Sequence, residues 1–319
     1  MSVTDKKISR FLSTSWMTSE HPLPWLLPAS ALMIVFGIYP LLYAIWLSLH
    51  RVPAGRRQMV FDPLFNWTKI FVDPNMIAAL VNTFVYTFVA LTLQMILGLS
   101  IALLLDTDRR GYSILRAIMT LPLVMPPAVT AMIFLLMLNG SFGVLAHGLF
   151  ALGVLDPAQP PILANGSAPF SLTLLGETVK ILPLAMMGVI LADVWQWTPF
   201  MVLIMLAGLR SLPKEPFEAA AIDGANSWQM FVRLTLPMMS KVIAIALLIR
   251  GIDIFRMVDY IHVMTARGPG TATLTLPTYA TQEAFTKGVF NYSSTIALVT
   301  LILIILTSTL FMKIFRVRL

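Results

Sequence analysis

From Trp25 onward the chain alternates long apolar runs with short polar ones. Six runs approach the roughly 20 residues that a helix needs to cross the hydrocarbon of a bilayer. They are Trp25–Leu49, Ala78–Leu105, Ala117–Leu138, Ile181–Leu209, Val242–Thr265 and Tyr292–Met312. A segment in lipid must pair its own backbone groups, so each run predicts a helix. The expected fold class is an all-α integral membrane protein with six transmembrane helices. The polar intervals divide it into a tail (1–24), a first helix with its outer loop (25–77), a core (78–312) and a short second tail (313–319). The longest interval, 139–180, opens on SFGVLAHGLFALGVL, which is apolar yet too short to span. That predicts a re-entrant or interfacial helix. Pro157, Pro160, Pro161 and Pro169 then predict an irregular loop.

The interval 213–237, PKEPFEAAAIDGANSWQMFVRLTLP, carries the strongest local signals. Pro216, Glu215 and Glu218 suit a first helical turn, where a missing N–H costs little and the helix dipole favours acids. Asp223-Gly224 reads as a stop, since glycine takes the left-handed conformation without a Cβ penalty. Asn226 with Gln229 three residues on is a capping box for a second helix, and Pro237 predicts its end. Two short helices meeting at Gly224 follow. Ala219, Ala220 and Ala221 leave the first with little bulk, so another protein's backbone can approach it closely, with Glu218 as the one strong charge there.

Composition narrows the class. The 319 residues are 58% hydrophobic and 12% charged, against about 25% charged in soluble domains. The absence of cysteine excludes disulfides and thiolate metal sites, and four scattered histidines have no ligand spacing. No G-x4-G-K-[ST] phosphate loop occurs, so the chain is not expected to bind ATP or act as an enzyme. The net charge of +7 reads as positive-inside loops rather than nucleic-acid binding. With the N-terminus inside, cytoplasmic segments hold 13 of the 22 Lys and Arg residues. That places both termini and the Gly224 turn in the cytoplasm. Residues 1–24 lack an apolar core followed by a cleavage site and read as a tail, not a signal peptide.

Charges inside the spans need partners, because each costs roughly 2.5–3.5 kcal/mol at the bilayer centre. The fifth run carries Arg250, Asp253, Arg256 and Asp259, and the fourth carries Asp193. Arg250 and Arg256 each stand three residues from Asp253, a spacing at which helical side chains meet. One reading is a buried Arg–Asp–Arg ladder, joined by Asp193, that pins two helices. The other is a polar lining for a hydroxyl-rich solute, to which Gln196, Asn82 and Gln94 would contribute. Thr83 and Thr87 in the second run read as interhelical hydrogen bonds, and Trp195 and Trp197 as packing or interface anchors.

Glu218-Ala219-Ala220, three residues, Gly224, nine residues, then Leu234-Thr235-Leu236-Pro237 resembles the EAA loop of binding-protein-dependent ABC importer permeases, with Leu234 where the pattern has Ile. Asp193-Val194-Trp195, Thr198-Pro199-Phe200 and Ala207-Gly208-Leu209 are similar to the carbohydrate branch. So is the segment Gly268-Pro269-Gly270 through Thr273, Leu276 and Tyr279, with Arg267 in place of the usual glycine. The C-terminal Phe315-Arg316-Val317-Arg318-Leu319 resembles the first permease of such pairs. The resemblance implies the type I importer fold and a sugar, sugar glycoside or polyol-like solute, imported across a bacterial inner membrane by alternating access. It implies as partners a second homologous permease, two ATP-binding ABC subunits that hold the ATP and Mg, a periplasmic solute-binding protein and membrane lipid. It assigns Glu218 the charged contact to an ATPase, Ala219 and Ala220 the close-packed face, and Asp223-Gly224 the bend. The alternatives are a self-sufficient secondary transporter relaying protons through intramembrane Asp and Arg, and a membrane-embedded enzyme. No interrupted inverted repeat and no catalytic cluster in the sequence supports either.

Overall fold

The computed structural model describes residues 23–53, 58–107, 111–159, 161–174, 176–266 and 268–315. Most of both tails, with Lys6, Lys7, Arg10, Arg316 and Arg318, lies outside the described residues, as do Arg56, Arg57, Arg109, Arg110 and Arg267. Among the described residues five helices are long and apolar enough to cross a membrane, and a bent pair counted as one span gives a sixth. The first, α1 (Leu26–Ser48), exposes most of its apolar surface. Beyond it come a two-residue ribbon (β1 His50–Arg51, β2 Val60–Phe61) and a short helix, α2 (Phe65–Val72).

The second span, α3 (Pro74–Leu105), begins four residues before the apolar run. Pro74 fits its first turn, and the Asp73 carboxylate accepts from the backbone N–H of Asn75 at 3.0 Å, capping it. The third span is not the single helix that the apolar run predicts. It is two helices, α4 (Tyr112–Val124) and α5 (Pro127–Met137), bent by 96°. The cause is Pro126-Pro127: a residue before proline is driven out of the helical region, and Met125 is extended at φ −76°, ψ 136°. The predicted non-spanning helix is present as α6 (Val144–Ala151).

The interval that follows is more regular than its prolines suggest. It holds an antiparallel hairpin, β3 (Phe170–Leu174) with β4 (Glu177–Ile181), paired from Phe170–Ile181 to Leu174–Glu177. Thr178, Val179 and Ile181 are β-branched and suit a strand. Ile181 therefore belongs to the hairpin, and the fourth span, α7 (Leu184–Arg210), starts after Pro183.

α7 leads through a short turn to α8 (Glu215–Ile222), and the fifth span, α9 (Ser227–Phe255), follows. Pro237 does not end a helix there. The chain widens into a π-helical turn at Phe231–Thr235 and continues, with Pro237 in the first turn of the regular helix beyond it. A wider turn relieves the clash that a proline ring otherwise makes with the preceding carbonyls. The span also ends ten residues before Thr265. Asp259 belongs to a separate helix, α10 (Asp259–Met264). Last come α11 (Leu276–Thr281) and the sixth span, α12 (Phe290–Ile314).

The core lies around α7, which is fully buried at Ala185, Val189, Ala192, Met201 and Met205. Gly98 of α3 sits directly against Met201, where a Cβ would come within 2.5 Å of the Met201 Cβ. Gly208 does the same for α9, with a Cβ position 2.8 Å from the Met239 methyl. Small residues at these crossings let three helices approach closely, the usual device for helix packing in lipid.

Candidate functional site

Two places concentrate the chemistry. The first is the turn between α7 and α9. Glu215 and Glu218 lie in the first turn of α8, where the dipole favours them. Gly224 ends the helix at φ +80°, and the amide of Ala225 donates to the Ala220 carbonyl at 2.9 Å. Asn226 then opens α9 with a reciprocal capping box. Its side chain accepts from the Gln229 N–H, and its own N–H donates to the Gln229 side chain, both at 2.9 Å. Glu218, Ala219 and Asp223 are exposed and Ala220 is half-buried. Beside them Ile222 is 87% exposed and Trp228 71% exposed. The arrangement is a well-capped bend with an exposed apolar rim.

The second place is a buried polar centre where α3, α7 and α9 cross. Asp193, Arg250, Gln94 and Gln196 are all shielded from solvent. The Arg250 guanidinium donates from Nη2 to Asp193 Oδ1, and from Nε to Gln94 Oε1 at 3.0 Å. Gln94 Nε2 in turn donates to Asp193 Oδ2 at 3.1 Å. Each of the three therefore touches the other two. The guanidinium carbon lies 4.5 Å from the centre of the Trp197 ring, a cation–π contact, while Nη1 has no hydrogen-bond partner among the described residues.

The Arg–Asp–Arg ladder does not form. Arg250 turns to Asp193, and Asp253 pairs instead with Arg256 at 2.7 Å, with the Arg256 side chain 71% exposed at the end of α9. The three-residue spacing permitted either partner for Asp253. Burial decided the rest, because Arg250 faces α7 across the core whereas Arg256 reaches the surface. Within that buried centre, Trp197 packs against the core and its ring takes the Arg250 cation; Trp195 is half-exposed, its ring 5.6 Å from that of Phe134.

Gln196, one turn from Asp193, serves a different junction. Its Nε2 donates to the Met125 carbonyl at 2.7 Å, at the break between α4 and α5, and Oε1 accepts from the Tyr260 hydroxyl of α10. Asn82 lies further off still, donating to the carbonyls of Thr271 and Leu274 at 2.8 and 3.0 Å. Next to it Thr83 Oγ1 accepts from the Leu276 N–H at 2.9 Å. Both residues thus hold the loop before α11 against α3. Thr87 borders an apolar cleft between α3, α9 and α12, of about 390 Å³.

The sequence reading missed a cluster at the far end of the molecule from Gly224. Asp73 accepts from the hydroxyls of Tyr279 and Tyr292 as well as capping α3. Burial, with the Asp73 carboxylate beside it, pushes the Tyr279 hydroxyl above its ordinary value, so it remains a donor. Nearby Glu283 is buried and pairs with Lys287 at 2.5 Å. The only signal available in the sequence was Asp73-Pro74 before an apolar run, a helix start.

Residues 94–319 match the family described as binding-protein-dependent transport system inner membrane component. The chain is 33% identical over 293 residues to the trehalose/maltose transport system permease protein of Thermococcus litoralis, covering 92% of each chain. It is 32% identical over 272 residues to the trehalose transport system permease protein of Mycobacterium tuberculosis, covering 84% of this chain and 81% of that one. In fold it resembles a chain of a bacterial ABC transporter involved in the import of the polysaccharide alginate. The TM-score is 0.75 at 18% identity, over 97% of this chain and 98% of that one.

Proposed function

Because the chain belongs to the family of binding-protein-dependent transport system inner membrane components, we propose that it is a pore-forming subunit of an ATP-driven importer for a sugar, sugar glycoside or polyol-like solute. The observation that carries this reading is the exposed bend at Gly224. A membrane chain has placed, between two spans, a capped two-helix turn with a bare alanine face and an apolar rim. The solute class is supported by the sugar permeases that the chain matches over most of its length.

In this reading the turn is cytoplasmic and α8 seats in a groove of an ATPase subunit that holds ATP and Mg. Glu218 makes the charged contact, Ala219 and Ala220 allow close approach, and Asp223-Gly224 sets the bend. A second homologous permease completes the pore, and a periplasmic binding protein delivers the solute at the opposite end. ATP binding closes the ATPase dimer and displaces α8 together with the helices joined to it, so that the pore alternates between its two openings. A nucleotide can drive that change only by binding the two states with different affinity. Energy coupling, not solute binding, is the task of the Gly224 turn.

The test is uptake of labelled trehalose by right-side-out membrane vesicles that carry the complete transporter, loaded with ATP and supplied with the binding protein outside. Glu218→Ala and Gly224→Asp are expected to abolish ATP-dependent uptake while the chain still inserts and assembles its spans. Normal uptake by both variants would overturn the assignment.

A further inference from the structure

The buried centre has a mechanical consequence. α7 and α9 are joined covalently at one end by the Gly224 turn, and they meet again at Asp193 and Arg250, 57 residues apart in sequence. Asp193 lies about 26 Å along α7 from Arg210, and Arg250 about 35 Å along α9 from Ser227, at 1.5 Å per residue. Between these two attachments the helices are in contact through Met201, Met205, Met239 and Ile243, and Gly208 admits Met239 near the turn. Two helices fixed at both ends of a shared seam cannot splay. Gln94 extends the same attachment to α3, since it donates to Asp193 and accepts from Arg250.

We infer that Asp193, Arg250 and Gln94 are positioning residues that lock α3, α7 and α9 into one rigid body, so that a displacement of the Gly224 turn is delivered to the far half of the molecule instead of being absorbed by bending between helices. The lock is enclosed: neither charged side chain has any exposed surface, so in this conformation neither lines a water-filled path. The inference rests on the importer reading for the source of the displacement. It assigns to the buried charges a task different from holding solute. The directional geometry of a three-way hydrogen-bonded ion pair suits that task, because apolar packing alone lets helices slide, whereas breaking one buried charge from its partner is costly.

The chain holds no cysteine, so cysteines introduced as Leu191→Cys and Ile249→Cys, at half-exposed positions near the lock on α7 and α9, are its sole sites for thiol-directed spin labels. The transporter assembled with its partner subunits is measured without nucleotide and with ATP trapped. Expected in the otherwise wild-type chain is one narrow distance, identical in both states. The double variant Asp193→Leu/Arg250→Met removes both charges together and is expected to assemble, yet to show a distance that broadens or shifts when ATP binds. Gln94→Leu leaves the Asp193–Arg250 pair intact and frees α3 from it, so where the double variant fails to assemble the same nucleotide dependence is expected of the distance between labels at Leu97 on α3 and Leu191 on α7. A wild-type distance that changes with ATP, or variants that keep one ATP-independent distance, would overturn the lock. If no ATPase assembles with the chain at all, the importer reading falls and the lock's role in coupling falls with it.

Discussion

Gly98 and Gly224 need their missing side chains for opposite reasons. At Gly224 an added Cβ would meet nothing within 4 Å, but the backbone stands at φ +80°. Gly224→Ala therefore costs about 1–2 kcal/mol in backbone strain, and the effect should appear both as a slightly earlier thermal transition of the detergent-solubilised chain and as reduced ATP-dependent uptake. At Gly98 the backbone is ordinary helix and the obstacle is Met201. Gly98→Val should lower stability by about 1–3 kcal/mol through overpacking, read as an earlier thermal transition. Asp193→Asn leaves the Arg250 charge buried beside an uncharged partner, and a loss of about 3–5 kcal/mol is expected from the same measurement. The residues around Gly224 were legible because their signals are local, a stop glycine and a cap within a few positions of each other. The partner of Arg250 was legible only as a possibility. Three-residue spacing favoured Asp253, and nothing in the sequence says which face of α9 meets α7.

The elements were legible where apolar length alone sets them and misread where chain punctuation competes with it. Length identified α3, α7 and α12 closely, since a bilayer asks little more than about 20 apolar residues. It could not register that Pro126-Pro127 bends the third span by 96°, because the apolar run continues unbroken through the bend. Nor could it show that Pro237 sits inside a helix entered through a π-helical turn. The bend has its own support: Gln196 holds the Met125 carbonyl at the break. Gln196→Leu leaves that half-buried carbonyl without its partner, at a cost of about 1 kcal/mol. Hydrogen exchange should then quicken in the amides following Pro127 and in α10, where the Tyr260 hydroxyl loses its acceptor. Unchanged exchange at both places would show that the bend holds without Gln196.

As a whole the molecule is arranged around α7. The Gly224 turn hangs from its end, and the broken third span and α10 meet it at Gln196. α3 and α9 are tied to it at Asp193. A displacement applied at the turn thus reaches four other elements through one helix. α1 exposes most of its apolar length, but its C-terminal half packs on α12, where Asn291 Nδ2 donates to the Leu47 carbonyl at 3.1 Å. This arrangement suits a subunit driven from outside itself, as the proposed function has it. In the proposed function the motor is another protein docked at the Gly224 turn. That is tested most directly by purifying the chain in mild detergent from the membrane in which it is made, identifying what co-elutes, and assaying the product in liposomes. A second permease and a P-loop ATPase in near-equal amounts, with solute uptake that requires ATP, is the expected result. A chain that purifies alone and moves solute without ATP would contradict the account.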